Sequence, residues 1–301
     1  MKSLSYFLIS FLLVMEAKAM DHAKEYQFGV RWSVNGIPSS LRTHNILLSF
    51  DGSWSHLDRR LPMSQYIKNG KNILSLSTWP LEYDLNNKLG VSLLYWEPGE
   101  NPNTEAKTAF EVVMFPGKEH AEPEIVSHDP AAPLQPRDSE IRFHRYEEFD
   151  TLQVSFNNHQ PMPTWCWEQG DLLQDNAATR DSLTQAYRRL HALFEAKDND
   201  AIMEASSTMI QELAQASGEP EEYVRHRASF NMLFDNPDVF QLHAFPEDPM
   251  TLNLGGDNRV AWLTTRGVSV PITFDHVQEQ GRGSSVRLYF IRRDGQWEIC
   301  R

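Results

Sequence analysis

A handful of residues in this chain have types and spacings that chemistry uses. Asp275 and His276 stand side by side at the end of a strand-like segment. A histidine and a carboxylate act as a general base only when both line one pocket and the acid fixes the imidazole. Neighbours on a strand send their side chains to opposite faces, so a shared pocket is not expected for this pair. His191 and Glu195 lie four apart in "TRDSLTQAYRRLHALFEAK" and could share a metal, but the spacing supplies no third ligand. A solvated helical pair of this kind contributes only a few tenths of a kcal/mol, and neither a metal nor a cofactor is expected. The chain contains no G-x-S-x-G elbow, H-E-x-x-H, P-loop or G-x-G-x-x-G phrase.

The two cysteines, Cys166 in "PTWCWE" and Cys300 in "QWEIC", are read through their compartment. The chain opens "MKSLSYFLISFLLVMEAKAMDH": Lys2, an apolar run from Tyr6 to Met15, and Ala17 and Ala19 as an A-x-A site. This is the layout of a cleavable secretory signal over residues 1–19, cut after Ala19. A membrane anchor needs about 20 apolar residues, roughly twice what is here, so no stable membrane insertion is expected. With no N-x-[ST] acceptor, the expected destination is a bacterial periplasm or medium. In an exported chain an even cysteine count favours a Cys166–Cys300 disulfide. Neither cysteine has the basic residue and histidine at a spacing that would suggest a nucleophilic thiol.

The net charge of −13 becomes −14 once Lys2, Lys18 and Glu16 leave with the signal. Such a chain repels nucleic acid and anionic membrane. Its 41% hydrophobic content, with eight Trp and sixteen Phe, suffices for a packed core, and the length suits two domains.

The elements that must position these groups change character near Trp165. Residues 20–158 read as an antiparallel β-sandwich. "YQFGVRWSV" sends Tyr26, Phe28, Val30, Trp32 and Val34 to one face, and an Asn35–Gly36 turn follows. Further strands are expected at 45–50, 72–79, 90–97, 108–115, 140–146 and 151–156. The Pro-rich stretch 116–139 reads as a surface excursion or extended linker. After a connector at 159–175, residues 176–301 read as three helices, starting near Arg180, Asn199 and Pro220, followed by strands. These strands are "DVFQLHAF", "RVAWLTT", "VSVPITF", "SVRLYFIRR" and "QWEIC".

Two phrases carry resemblances. "VNGIP" and "MSQYIKNGKNILSLSTW" resemble the jelly-roll sandwiches of the galactose-binding-like type, which implies a binding or spacer module. "SVRLYFIRRDGQWEICR", with its Asp294–Gly295 turn and Trp297 and Ile299 on one face, resembles the closing hairpin of domains similar to nuclear transport factor 2. That resemblance implies an α+β cone, three helices packed on a curved antiparallel sheet. Its enzymes hold an acid–base pair in a cavity between sheet and helices. The residues here suited to line such a cavity are Tyr187 and His191 on the first helix, and His243 and Trp262 on strands.

Trp32, Trp79, Trp96, Trp262 and Trp297 fall within strands and are expected in the core. Trp54, in "FDGSWSHLDRR", sits among turn residues and suits a sugar or partner contact, or a staple onto the sandwich edge. The expected function is non-catalytic binding of a protein partner or small ligand in the cell envelope. One concrete form is an immunity or inhibitor protein whose acidic surface meets a basic partner. The alternatives are an enzyme using Tyr187, His191 or His243, and an envelope carbohydrate binder using Trp54.

Overall fold

The computed structural model describes residues 25–52, 56–79, 83–118, 121–265, 269–279 and 283–301. The signal-like segment and Trp54 lie outside the described residues. The described chain is mixed α+β with antiparallel sheets. Among the described residues no helix is long and apolar enough to cross a membrane.

The first eleven strands precede any α-helix. They are β1 (Gln27–Val34), β2 (Ser39–Thr43), β3 (Ile46–Asp51), β4 (Leu57–Pro62), β5 (Gly70–Thr78), β6 (Leu89–Trp96), β7 (Lys107–Met114), β8 (Glu124–His128), β9 (Leu134–Pro136), β10 (Arg142–Arg145) and β11 (Asp150–Asn158). One sheet runs β4-β1-β6-β7-β8; the other runs β10-β11-β5-β2-β3, with β9 beside β11. The alternation in β1 is the reason it sits centrally: Phe28, Val30, Trp32 and Val34 are buried, while Arg31 faces outward and pairs with Asp58 at 2.5 Å. Those four side chains join Leu41, Leu74, Leu76, Leu152, Val154 and Phe156 of the other sheet in a single apolar cluster.

The Pro-rich stretch departs from the expected excursion. It carries an edge strand of each sheet, β8 beside β7 and β9 beside β11. Its prolines fall mostly outside these strands, and Pro136 ends β9, where the missing N–H costs no central ladder bond.

Helices follow: α1 (Cys166–Gln169), α2 (Ala177–Glu195), α3 (Asn199–Ala205), α4 (Ser207–Ser217), α5 (Glu221–Ala228) and α6 (Asn231–Phe234). The second expected helix is divided at Ser206 and the third at Ser229. At the second break the Asn199 side chain accepts from the Phe230 N–H at 2.9 Å and the Ser229 hydroxyl from the Asn231 N–H at 3.2 Å, so two donors at the α6 start are satisfied.

The remaining strands are β12 (Phe240–Leu242), β13 (Thr251–Gly255), β14 (Val260–Thr264), β15 (Thr273–His276), β16 (Gly283–Ser285), β17 (Phe290–Arg293) and β18 (Gln296–Ile299). They form two ladders, β12-β15-β16 and β13-β14-β17-β18. The one strand expected over "SVRLYFIRR" therefore ends in both: β16 pairs with β15, Val286 N–H still donates to Ile272 at 2.9 Å, and β17 pairs with β14. The closing hairpin turns at Asp294 and Gly295, both at positive φ (51° and 76°). This is the two-residue turn that matches strand twist.

β14 is buried on both faces because it separates two cores. Ala261 and Leu263 meet the helices, whereas Val260 and Trp262 join Ile46, Leu47, Trp165, Trp167, Tyr289 and Ile291 in a third cluster between the two parts of the chain. The tip of the β2–β3 hairpin enters this seam, and the His44 carbonyl accepts from Gly256 N–H at 2.7 Å. At Gly255 a Cβ would stand about 3.0 Å from the Asn45 backbone, so any larger residue would press the two turns apart by a few tenths of an ångström. The Cys166–Cys300 disulfide closes over the same seam, with Cα atoms 5.9 Å apart.

Two outcomes follow from the seam. Reducing the disulfide is expected to lower stability by about 2–4 kcal/mol, read from the urea midpoint with and without reductant; an unchanged midpoint overturns the clasp. His44 is buried against Trp167, and burial pushes its pKa down to about 4, against the opposing bond to Asn72. The unfolded chain then takes up a proton between the ordinary histidine value and about 4 that the folded chain refuses. Stability is complete above that window and falls as pH drops through it, by up to about 3 kcal/mol. A His44→Asn variant with an unaltered stability-versus-pH curve would count against this.

Candidate functional site

A cleft of about 820 Å³ lies between the C-terminal end of α2, α6 and the β12–β15 pair. Its floor is apolar: Phe194, Leu233, Phe234, Phe240, Leu242 and Phe274. Phe194 stacks edge-on against both Phe234 and Phe274, with ring centres 6.0 Å away in each case. Glu195, Lys197, Asp238, Gln241 and His243 stand around it. The register Leu242↔Phe274 sets His243 diagonal to Asp275 on one face of the ladder. Their side chains meet, His243 Nε2 to Asp275 Oδ2 at 2.5 Å, with both more than half exposed.

The structure thus gives Asp275 a histidine partner that adjacency in sequence does not suggest. The partner is cross-strand His243, while His276 turns away and packs edge-on against Phe240. Pairing the segments "DVFQLHAF" and "VSVPITF" in antiparallel register is the signal that finds it. The cleft floor was hidden for another reason: Leu233, Phe234 and Phe240 come from a helix end and a strand start that share no periodicity.

His191 is buried on α2 and donates from Nε2 to the His243 carbonyl at 2.8 Å, with Nδ1 3.5 Å from Glu195. It is therefore a support beneath the strand that carries His243. Tyr187 lies deeper, fully buried, with its ring 4.8 Å from Phe290 and its hydroxyl donating to the Leu288 carbonyl at 2.8 Å. Burial holds its phenol well above the usual tyrosine range. The space between helices and sheet around it is filled by Leu183, Leu190, Ile272 and Phe290.

Trp262 points away from all of these, into the seam, where its ring stands edge-on to Tyr289 at 5.1 Å. Of the other tryptophans expected in strands, Trp32 and Trp96 are buried; Trp79, just past the end of β5, and Trp297, on the edge strand β18, are only half-buried. Trp297 donates to the Ser182 hydroxyl at 3.2 Å. Of the expected site residues, then, His243 lines the cleft, His191 is buried behind it on the His243 carbonyl, Tyr187 is core, and Trp262 is seam.

The acids at the cleft are Glu195 and Asp238, with Asp275 beside His243 at its edge. The cleft's one cation, Lys197, donates to the Phe234 carbonyl at 3.3 Å. An apolar floor under an acidic rim suits a ligand that is greasy and positively charged. The three-member cluster with metal-ligand proximity among the described residues is Cys166, Glu212 and Cys300, and there the sulfurs are bonded to each other. No known protein family, curated protein or solved structure matches the chain.

The contrast between the two ionisable groups is measurable. Tyr187→Phe leaves a buried carbonyl without its donor and is expected to cost about 1–3 kcal/mol. His243→Asn breaks only an exposed pair and is expected to cost less than about 1 kcal/mol. Denaturant midpoints in the reverse order would overturn the assignment of core to Tyr187 and rim to His243.

Proposed function

We propose that this is an exported, non-catalytic binding protein of the bacterial envelope that holds a basic protein partner in the cleft between α2, α6 and β12–β15. The single observation that carries the reading is the filled interior of the C-terminal part, with the open, acid-rimmed cleft beside it. An acid–base enzyme needs two ionisable groups converging in a water-shielded pocket. Here the candidate phenol is committed to a backbone carbonyl, and the histidine–carboxylate pair is open to solvent. Steering then matters more than chemistry, since a net charge of −13 raises the encounter rate with a cationic partner. An immunity or inhibitor protein acting on a basic toxin is the concrete form of this reading.

In the same reading residues 20–158 are a β-sandwich and residues 176–301 a cone related to nuclear transport factor 2, with the two ladders as parts of one curved sheet. The shared apolar cluster of the first two sheets and the chain that passes from β16 to β17 support it. Export is supported by the signal-like opening and by the disulfide, which persists in an oxidising compartment.

Two measurements test the proposal. Produced with its leader in a bacterial host, the protein is expected in the periplasm with Met20 as its first residue; retention of residues 1–19 would sink the export reading. An amphipathic lysine–leucine peptide is expected to associate with the protein at a rate that falls steeply with salt, by roughly ten-fold across a Debye-length change from about 10 Å to a few Å. Asp238→Asn with Asp275→Asn should flatten that dependence, and a rate indifferent to salt would overturn the acidic-cleft reading.

A further inference from the structure

The seam contains a second concentration of charge, of opposite sign. Arg42 stands where the β2–β3 ladder slips: pairing passes from Leu41↔Ser49 to Arg42↔Leu47. A bulge of this kind re-aims a side chain and is common beside binding sites. Facing it, the extended chain between β16 and β17 carries Arg287 and Tyr289, two residues apart and so on one side. The Tyr289 hydroxyl donates to the carbonyl of Leu47, the residue paired with Arg42. The Arg287 side chain lies within electrostatic reach of the same phenol and of Arg42. Arg42, Tyr289 and Arg287 therefore form one cluster across the junction.

The cluster lacks an acid. Both arginines are part-buried, and neither forms an ion pair with a carboxylate among the described residues. Arg42 Nε is buried with no hydrogen-bond partner. Burial lowers the Arg42 pKa most, Tyr289 opposes that, and the nearby charge of Arg287 lowers it further. In a chain of net charge −13, leaving two guanidinium groups together without a carboxylate is an expensive arrangement unless something else supplies the negative charge. Guanidinium forks match the oxygens of phosphate-like groups in a bidentate way, and a pair of them favours a dianion over a monovalent one.

We propose that Arg42 and Arg287 form a binding site for a divalent tetrahedral oxyanion of the phosphate or sulfate class, with Tyr289 positioning Arg287 against the N-terminal strands. The site is independent of the acidic cleft, since no residue is shared. Free inorganic anion and the phosphoryl group of a larger molecule present the same chemistry, so the probes are inorganic phosphate, inorganic sulfate, glycerol 3-phosphate and acetate.

The experiment is thermal unfolding and calorimetric titration of the disulfide-bonded protein at constant ionic strength. Inorganic phosphate or sulfate is expected to raise the melting temperature where chloride and acetate do not, and tighter binding of glycerol 3-phosphate would identify the anion as part of a larger ligand. Arg42→Gln and Arg287→Gln are each expected to weaken binding by roughly ten-fold or more, while Arg180→Gln, on the exposed face of α2, is expected to bind as the parent does. Without anion, Arg42→Gln should be as stable as the parent or more so, because a repelling charge has gone; a merely structural arginine would give the opposite sign. Equal phosphate responses in the parent and both variants, or an anion-free Arg42→Gln that is clearly less stable, would overturn the proposal, as would absence of any phosphate or sulfate response in the parent.

Discussion

The guanidinium of Arg301 is the point on which the two parts of this molecule close. It is 2% exposed, lies between the rings of Tyr66 and Trp165, and donates to the carbonyls of Gln65 and Cys300 at 2.7 and 2.8 Å and to the Glu212 carboxylate. A charge taken out of water this completely is tolerable only when paired and hydrogen-bonded. The partners come from the turn Ser64–Tyr66, from α1, from α4 and from the chain after β18, so the one group fixes four segments at once. Glu212 serves twice, since its other oxygen accepts from the Cys166 N–H at 2.6 Å. Around that ionic centre the indoles of Trp165 and Trp167 each donate to a backbone carbonyl of residues 65–67, which lets two large rings be buried without an unpaired N–H.

The arrangement separates rigidity from recognition. The cleft is built by α2, α6, β12 and β15, and none of these contributes to the seam cluster. Surface charge at the rim can therefore vary without disturbing the contacts that hold the molecule together. β14 marks the boundary, with Leu263 serving the helical core on one face and Trp262 the seam on the other.

What the amino-acid sequence made legible follows from the range of the forces involved. β1, α2 and the Asp294–Gly295 hairpin are read correctly because their signals are local: strict alternation, a three-to-four-residue apolar stripe, and turn residues that accept positive φ. β4, with three charged residues in six, and β13 lie among turn residues and declare themselves only by the neighbours they pair with. β8 and β9 were masked by prolines, which mark edges of strands as readily as their absence. Trp262 illustrates the limit at the site. Its alternation with Leu263 is plain, but which of two opposite cores each face meets depends on a partner more than two hundred residues away in the chain, Leu47 and its neighbours. His243 and Asp275 were both visible as candidates; their register was not.

That separation along the chain governs how the molecule is made. The Tyr289–Leu47 bond spans 242 positions, the Arg301–Gln65 bond 236, and the disulfide 134. Loop closure must be completed before any of these contacts returns energy, and chains rich in such distant pairings fold slowly. Each part can gather its own apolar cluster from much nearer neighbours. The seam is accordingly the late event of folding, and until it forms, Trp165, Trp167, Trp262 and Tyr289 remain open to solvent as an adhesive surface. The interval between core formation and docking is the period in which this protein is most exposed to aggregation.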